Sequence, residues 1–286
     1  MKPIIVTQIF NVPISEVWKA LTDVSSLKKW YFPVKNFELE VGKTFTFYES
    51  EEGTRFFHSC TFLQIVPEKI LEHTWTHPND SKGTSILKWE LESEGKGTKV
   101  TLTHTGAENF EDAGPDFSVA NFEMGWNAFL KTMLRNFLYG IEKLIFDLEI
   151  NALPETVWRK LWDNENYSIW TEPFCEGSYL KGDLKQGNRV HFLSPNGEGM
   201  YSDVAFLIEN KLMMFKHIGM VKDLQELPLD KETETWTGSY ENYRLTEIAT
   251  GRTTLKVEID TIADYKSYME EKFPLALERL REICEE

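Results

Sequence analysis

A segment near the N-terminus recurs once in the second half of the chain, and this internal repeat constrains the fold more than any other feature. Residues 11–23 read NVPISEVWKALTD and residues 151–163 read NALPETVWRKLWD, at an offset of 140. The Asn, Val, Trp, Leu and Asp recur in register, and each copy continues to a further tryptophan, Trp30 or Trp170. Self-similarity at a fixed offset indicates that one structural unit is repeated. We therefore expect two copies of one domain.

The repeat places the domain boundary near Gly140. We expect one domain at residues 1–140 and the other at residues 141–286. Only a few residues separate the last pattern of the first copy from the first strand of the second. Because no long linker intervenes, we expect the two domains to be rigidly related.

The stretch from Asp116 to Tyr139 predicts a long amphipathic helix at the end of the first copy. Its polar residues Lys131, Arg135 and Asn136 fall on one helical face. The opposite face is apolar, because large side chains recur at spacings of three and four. These side chains are Phe122, Trp126, Phe129, Leu130, Met133, Leu134 and Phe137. Nearly everything before this helix alternates as strands do, so a sheet is the natural partner for the apolar face.

The ends of this helix carry capping signals. Asp116 or Ser118 can accept a backbone N–H at the start, and Gly140 suits the position just past the end. The second copy repeats the helical pattern at residues 272–280, at an offset of 147 that places insertions in this copy. Because Pro274 interrupts the second pattern, we expect that helix to kink or restart there.

Alternating apolar residues predict an antiparallel sheet in each copy. In the first copy, strands are predicted at residues 4–10, 44–48, 56–65, 70–76, 85–91 and 99–105. In the second copy, they are predicted at residues 144–150, 189–193, 200–208, 212–217, 235–245 and 253–261. A short helix follows the first strand of each copy and begins near Pro13 or Pro154. This order of elements predicts two α+β domains.

The Val-Trp-x-x-Leu-x-Asp motif after the first strand, and the closing helix with Gly125 and Trp126, resemble the START-like (SRPBCC) superfamily. The resemblance implies the helix-grip fold, in which a curved antiparallel sheet wraps a long C-terminal helix. Within the superfamily, the chain looks most like homologues of the activator of the heat-shock-protein-90 ATPase (AHSA1-like proteins), twice in tandem. The second copy carries Lys272 and Phe273 where the first carries Gly125 and Trp126. We therefore expect its helix to pack differently and its pocket to differ.

The chain is acidic, with a formal net charge of −15. Residues 141–286 hold 28 of the 46 acidic residues but only 17 of the 31 basic ones, so most of the excess lies in the second copy. Nucleic acids and anionic membranes favour basic surfaces, and neither is expected as a partner.

The cysteines and the N-terminus indicate a compartment. Cys60, Cys175 and Cys284 are scattered, and they form neither a disulfide framework nor a metal-ligand cluster. The first residues lack the apolar core of a signal peptide, and no apolar run approaches the length of a membrane span. We expect a soluble, cytoplasmic protein.

No pattern of catalytic residues stands out. The sequence has no Gly-rich phosphate loop between strand and helix, and no Gly-x-Ser-x-Gly elbow. His73 and His77 share a strand face with Trp75, but four residues of a strand span roughly 13 Å, too far for one metal ion. We interpret these histidines, and His104, as packed or hydrogen-bonded core residues. No catalytic residue, metal or cofactor is predicted.

Aromatic residues of the predicted sheets and helices are candidates for the lining of a ligand cavity, although the same spacing is typical of a plain core. In the first copy the candidates are Trp30, Phe45, Phe47, Arg55, Phe57, His73, Trp75, Trp89, Trp126 and Phe129. In the second copy they are Trp170, Phe192, Tyr201, Phe215, Trp236, Tyr240 and Phe273. His58, Arg189 and His191 are polar residues expected near them.

Three functions are compatible with this sequence. The first is non-catalytic binding of a small hydrophobic or amphipathic ligand between the sheet and the closing helix. The second, which the resemblance implies, is a co-chaperone or other protein-interaction role with contact to a chaperone. The third is a cyclase- or hydratase-type enzyme, which would need convergent acid–base residues that the sequence does not identify. We expect the first, with a small apolar ligand as the partner.

Overall fold

The computed structural model describes residues 2–49 and 56–286. The chain divides into two compact units, Met1–Tyr139 and Gly140–Glu286, which we call the first and the second domain. In each of them an antiparallel sheet packs with helices, and a long helix ends the domain. The prediction of an α+β protein with two helix-grip domains is confirmed.

The first domain contains a six-stranded antiparallel sheet in the order β1-β6-β5-β4-β3-β2. Its elements before the closing helix are β1 (Ile4–Phe10), α1 (Ile14–Thr22), α2 (Val24–Trp30), β2 (Thr44–Tyr48), β3 (Phe57–Val66), β4 (Ile70–Thr76), β5 (Thr84–Glu94) and β6 (Gly97–Thr105). All six strands predicted from alternation are present, with small shifts at their ends. Their inward side chains form one apolar core with the helices.

The closing helix of the first domain consists of three helical segments in direct succession. They are α3 (Val119–Ala128), a π-helical segment (Phe129–Leu134) and α4 (Arg135–Leu138). The start is capped as predicted, because the Ser118 hydroxyl accepts a backbone N–H of the first turn, that of Asn121, at 3.3 Å. Gly140, just past the end, has a φ of +62°, which glycine adopts without strain.

The π-helical segment changes which side chains this helix buries. Met133, predicted on the buried face, is 44% exposed, and Arg135, predicted on the polar face, is only 8% exposed. The buried residues Trp126, Leu130 and Leu134 follow one another at intervals of four. A π turn closes i→i+5 hydrogen bonds and holds more residues than an α turn, so the buried stripe shifts along the sequence. The predictions for Met133 and Arg135 are wrong for this reason.

The second domain has an eight-stranded antiparallel sheet in the order β7-β14-β13-β11-β10-β9-β8, with β12 paired to β11. Its elements are β7 (Ile141–Ile150), α5 (Pro154–Trp162), α6 (Asn164–Trp170), β8 (Tyr179–Lys181), β9 (Arg189–Leu193), β10 (Gly199–Ile208), β11 (Leu212–Lys222), β12 (Gln225–Glu226), α7 (Thr233–Trp236), β13 (Tyr240–Ala249), β14 (Arg252–Ile262) and α8 (Ala263–Glu285). The order of strand, helix pair, sheet and closing helix is that of the first domain.

The second domain departs from the predicted elements at several places. β8 and β12 correspond to no predicted strand, and β11 continues to Lys222, beyond its predicted end at residue 217. The strand predicted at residues 235–245 begins only at Tyr240, because Thr233–Trp236 forms a helical turn. At Pro274, where a kink or a restart is predicted, the helix does not restart, since α8 is continuous through this residue. Apolar side chains on both sides of Pro274 are buried in the core, and their packing offsets the backbone hydrogen bond that proline removes.

The repeated tryptophan has the same role in both domains. Trp30 donates its indole N–H to the carbonyl of Ala20 at 2.9 Å, and Trp170 donates to the carbonyl of Leu161 at 3.1 Å. Both rings are buried. Each ring therefore ties the second short helix of its domain to the first, and the repeated motif marks a structural anchor.

The end of each domain is tied to the turn after its first strand. In the first domain, the backbone N–H of Asn11 donates to the hydroxyl of Tyr139 at 2.9 Å. In the second, the backbone N–H of Asn151 donates to a carboxylate oxygen of Glu285 at 2.8 Å, and the Asn151 side chain donates to the same oxygen at 3.1 Å. The repeated asparagine keeps its position and changes its partner.

Candidate ligand cavity

The cavity described in the first domain is small. It has a volume of about 20 Å³, which is room for about one water molecule. It is lined by Leu21, Leu27, Trp30, Tyr31, Val34, Phe37, Phe45, Phe62, Leu71, His73 and Trp89. Four of the candidate lining residues, Trp30, Phe45, His73 and Trp89, are thus brought together here, around a space too small for an organic ligand.

The other candidates of the first domain lie elsewhere. Phe47, Trp75 and Trp126 are buried in the core away from this small cavity. Phe129 is half-buried and packs on Tyr31, with 5.2 Å between the ring centroids. Phe57 is half-buried and packs beside Tyr48 at 5.0 Å. Arg55 lies outside the described residues.

Histidine side chains take the place of apolar residues in this core. His104 accepts the indole N–H of Trp126 at its Nδ1 (2.9 Å), and its Nε2 lies 2.7 Å from the Ser85 hydroxyl. His77 accepts the indole N–H of Trp75 at 3.1 Å. These bonds require neutral rings, because a doubly protonated imidazole cannot accept. The histidines therefore act as hydrogen-bonding core residues, as the sequence indicated.

His73 and His58 complete this group. His73 is 4% exposed, and its Nδ1 donates to the carbonyl of Thr74 at 2.9 Å. His58 is fully buried, stacks on Phe47 with 4.4 Å between ring centroids, and lies 4.3 Å from the ring of His77. Its Nε2 is 3.7 Å from a carboxylate oxygen of Glu49, which is longer than a hydrogen bond.

Burial determines the charge of these rings. It lowers the pKa of His73 and of His104 to about 4 and that of His77 to about 3, and the neighbouring His58 and His104 contribute to the last shift. Burial also lowers the pKa of His58, against the opposing effect of Glu49. All four are neutral at neutral pH. Among residues 2–49 and 56–286, no group of three or more His, Cys, Asp or Glu could hold a metal ion.

The second domain contains a much larger cavity, with a volume of about 420 Å³. Aromatic and methionine side chains form most of its wall, with a few polar groups among them. The lining residues are Tyr167, Trp170, Thr171, Phe174, Cys175, Ser178, Phe192, Leu193, Ser194, Glu198, Gly199, Met200, Met220, Glu241, Tyr243, Tyr268, Met269 and Phe273. The candidates Trp170, Phe192 and Phe273 meet in this wall.

The remaining candidates of the second domain do not line this cavity. Phe215 is fully buried and packs against Trp162, with 5.3 Å between ring centroids. Tyr201 belongs to a separate small cluster with Leu193 and Val221. The other two, Trp236 and Tyr240, are half-buried around the short helix α7.

The polar residues expected beside them are occupied by ion pairs. Arg189 contacts Asp203 at 2.6 Å and Glu226 at 2.7 Å, and His191 lies 2.8 Å from the other carboxylate oxygen of Glu226. Arg189 also lies over the ring of Tyr201, 4.7 Å from its centroid. These contacts fix the residues at the surface rather than in the cavity.

A network of polar side chains that the sequence did not reveal lies at the cavity wall. The Ser202 hydroxyl is 2.8 Å from His217 Nδ1, and His217 Nε2 is 3.3 Å from a carboxylate oxygen of Glu241. The Tyr243 hydroxyl donates to the other oxygen of Glu241. Ser202 and His217 are register partners on β10 and β11, and Glu241 and Tyr243 point to one face of β13. Neighbouring strands therefore bring together this polar network from residues far apart in sequence.

Two tyrosines at this wall stay protonated. Burial, together with the nearby Glu241 carboxylate, raises the pKa of Tyr243 well above its usual value, and the same two causes raise that of Tyr167. The phenol of Tyr243 consequently donates to Glu241 at any physiological pH. The arrangement can hold a carboxylate in a fixed position at the edge of an aromatic cavity.

One side of the cavity is formed by the loop after α6 and by α8. The Tyr268 hydroxyl of α8 donates to the backbone carbonyl of Phe174 at 3.1 Å. Phe174 in turn packs edge-on against Phe273, with 4.9 Å between ring centroids. The loop and the closing helix are thus joined by both a hydrogen bond and an aromatic contact.

The first domain matches a known family over nearly its whole length. Residues 11–138 match the family described as "Activator of Hsp90 ATPase homolog 1-like protein". Together with the sheet and the closing helix described above, this match defines a helix-grip domain of the START-like superfamily. Within that superfamily, the first domain belongs to the AHSA1-like family.

Several solved structures are similar to parts or the whole of the chain. DynU16, from the dynemicin biosynthetic locus, is 17% identical over 99% of both chains, with a TM-score of 0.41. Protein CV1439 from Chromobacterium violaceum is 22% identical over 48% of this chain and 96% of its own, with a TM-score of 0.41. The Aha1 dimer from Colwellia psychrerythraea is 20% identical over 48% and 97%, with a TM-score of 0.37. At these sequence identities and TM-scores, no ligand or activity of this chain follows from the similarity.

No curated protein matches the chain. In the described part of the chain, no helix is both long enough and apolar enough to cross a membrane.

Proposed function

We propose that the second domain binds a small amphipathic molecule in the cavity between its sheet and α8. The observation that carries the proposal is the cavity volume, about 420 Å³ in the second domain against about 20 Å³ in the first. Sites for small organic molecules typically measure about 300–1,000 Å³, and they combine apolar walls with a few placed polar groups. Aromatic rings, methionines and the Glu241 carboxylate supply both features here.

Native mass spectrometry of the freshly purified chain, followed by denaturing extraction, tests whether a molecule occupies the cavity. In parallel, the chain is titrated with the neutral fluorescent probe N-phenyl-1-naphthylamine. We expect saturable uptake of one probe molecule per chain, because only the second of the two described cavities is large enough. The filling variant Phe273→Trp is expected to weaken this uptake.

A matched control adds the same ring to the same helix outside the cavity. Leu275 lies two residues after Phe273 on α8 and is 52% exposed, so Leu275→Trp changes bulk without reaching the cavity wall. It should bind the probe as the unmodified chain does. Equal binding by the Phe273→Trp variant, or an absence of saturable uptake together with a bare mass, would contradict the proposal.

Contact with a chaperone ATPase is a second candidate, and it concerns the first domain. The observation that favours it is the family match of residues 11–138. The cavity described in this domain is too small for an organic ligand, so its surface is the more accessible part for a partner. This candidate does not compete with ligand binding, because the two activities use different domains.

Stimulation of the ATPase of the heat-shock-protein-90 homologue from the same organism tests this candidate. A rise in ATPase rate that saturates with added chain would support it. A rate unchanged at a several-fold molar excess of chain, together with no co-elution of the two proteins, would remove it.

A further inference from the structure

We infer that the ligand of the second-domain cavity carries a protonated amine, whose charged N–H group binds to Glu241. The inference rests on the proposed function and names the ligand class for that same cavity. It follows from three features of the wall: a carboxylate fixed in place, a lining without basic residues, and aromatic rings around the carboxylate.

The first feature is the way in which Glu241 is held. The Tyr243 hydroxyl donates to one carboxylate oxygen, and His217 Nε2 lies 3.3 Å from the other. An imidazole that accepts the Ser202 hydroxyl at Nδ1 carries its proton on Nε2, directed at Glu241. The two donors thus hold the Glu241 carboxylate in one position. A carboxylate has about four lone-pair sites, so two remain for a ligand.

The second feature is the sign of the charges in the wall. Among the described residues, the lining contains Glu241 and Glu198 but no lysine, arginine or histidine. His217 lies behind the wall, with 9% of its side chain exposed. Lys272, on the neighbouring turn of α8, is paired with Glu271 at 3.0 Å. A ligand carboxylate or phosphate would therefore meet like charge without a cation, whereas an ammonium group would be attracted.

The third feature is the aromatic surround. Tyr167 and Trp170 have ring centroids 5.4 Å apart, and Phe192 lies 6.3 Å from Tyr167 and 6.4 Å from His217. Aromatic faces attract cations, most strongly where water is excluded. The same rings bury the apolar part of a ligand. An aromatic wall around one fixed carboxylate thus fits a hydrophobic molecule with a cationic end.

The charge of the whole second half acts in the same direction. Residues 141–286 contain 28 acidic and 17 basic residues. Such an excess attracts cations over the range of the Debye length, about 8 Å at physiological salt. Salt screens this general attraction, but it screens the contact with a largely buried carboxylate much less.

Three ligands that share one naphthalene ring test the inference by isothermal titration calorimetry at about 0.15 M salt. They are 2-naphthylmethylamine, which is cationic, 2-naphthylmethanol, which is neutral, and 2-naphthoate, which is anionic. We expect the amine to bind once per chain and at least about tenfold more tightly than the alcohol, since a hydrogen bond to a charged group contributes about 1.5–3 kcal/mol. The naphthoate should bind most weakly.

The variant Glu241→Gln keeps the shape of the wall and removes the charge. In this variant the affinity for the amine should fall close to that for the alcohol. Glu247→Gln is the matched control, because Glu247 lies on the same strand, is exposed and does not line the cavity. It makes the same change in net charge and should retain the preference for the amine.

The outcomes separate this inference from the proposed function. If the alcohol binds saturably and the amine binds no more tightly, the cavity binds ligands and the inference is overturned. A preference that persists in the Glu241→Gln variant overturns it as well. If none of the three ligands binds, the proposed function falls together with the inference. If the Glu241→Gln variant no longer binds the alcohol, the Glu198→Gln variant is measured as well. A preference for the amine that persists in the Glu198→Gln variant assigns this preference to Glu241.

Discussion

At equivalent positions of the two closing helices, the first domain carries Trp126 and the second carries Phe273. The Trp126 ring is 3% exposed, and its indole N–H is bonded to His104. Phe273 has no polar atom, and it stacks on Phe146 with 5.0 Å between nearly parallel rings. One helix therefore sends a large ring into the centre of its sheet, whereas the other keeps a smaller ring to one side. A domain repeated in one chain can thus have a small cavity in one copy and a large one in the other.

The two domains also differ in what surrounds their histidines. In the first, His58, His73 and His77 are buried among aromatic rings. In the second, His191 lies 2.8 Å from Glu226 and His217 lies 3.3 Å from Glu241. His58 lies 3.7 Å from a carboxylate oxygen of Glu49, and burial nevertheless lowers the pKa of His58, His73 and His77. The comparison leads to four predictions, given from the largest expected effect to the smallest.

Acidification should unfold the first domain before the second. An unfolded histidine titrates near pH 6.5, whereas folding lowers the pKa of His73 and His104 to about 4 and that of His77 to about 3. The neutral rings therefore contribute stability that is fully present above about pH 6.5 and is lost as the pH falls towards 4 and 3. Because three rings act in the same direction, this effect is the largest of the four.

Hydrogen exchange of the intact chain, corrected for the intrinsic effect of pH, measures this difference peptide by peptide. At about pH 4.5, peptides from residues 2–139 should have lost more protection than peptides from residues 140–286. Earlier loss of protection in the second domain would show that carboxylates, and not these histidines, dominate the acid response.

The variant Trp126→Phe should destabilise the first domain by about 2–3 kcal/mol. It removes buried volume, and it leaves His104 Nδ1 without the indole donor that now lies at 2.9 Å. Chemical denaturation followed by hydrogen exchange in peptides of the first domain measures the free energy of unfolding. Met124, on the same helix and 68% exposed, supplies the control, since Met124→Ala should change it by less than about 0.5 kcal/mol.

The reverse exchange, Phe273→Trp, should weaken ligand binding to the second domain by about tenfold, which corresponds to about 1.4 kcal/mol. The larger ring takes up part of the cavity that the phenyl ring leaves open. Fluorescence titration with N-phenyl-1-naphthylamine gives the dissociation constant. Tighter binding in this variant would mean that the indole adds contact surface, and the cavity would then be larger than its ligand.

The smallest effect concerns one repeated aspartate. The carboxylate of Asp23 accepts the backbone N–H of Ser26 at 2.8 Å and so caps α2. At the equivalent position, Asp163 accepts the side chain of Asn166 at 2.6 Å, and among the described contacts it accepts no backbone N–H of α6. We expect Asp23→Ala to lower the melting temperature of the first domain by a few degrees. Asp163→Ala should lower that of the second by less, and calorimetry of both variants compares them.

Much of the fold could be predicted because its signals are local. Strand alternation located the first sheet, and the repeated motif led to Trp30 and Trp170, which have matching bonds in both domains. The exposure of Met133 and the burial of Arg135 could not be predicted, because the apolar spacing does not distinguish a π-helical segment from an α-helix. A pattern read at 3.6 residues per turn assigns such residues to the wrong face.

The candidate site was harder to predict, because it depends on strand register and on side-chain volume. The sequence showed that Phe273 replaces Trp126, and it led to the expectation of a different pocket. It did not show that Ser202 and His217 are register partners. One signal was available: Glu241 alternates with Tyr243 and Leu245, so it points inward among apolar residues. A charged residue at an inward position of a strand is uncommon and indicates a specific role.

The bonds from Asn11 to Tyr139 and from Asn151 to Glu285 join the turn after the first strand to the end of the closing helix. In each domain they fasten the last turn of the helix to the edge of the sheet, because the first strand is an edge strand. A terminus that is tied down in this way is less prone to fray. The acceptor is a phenol in one domain and a carboxylate in the other. Such a tether needs only an oxygen acceptor within reach of the asparagine N–H, so two different side chains can supply it.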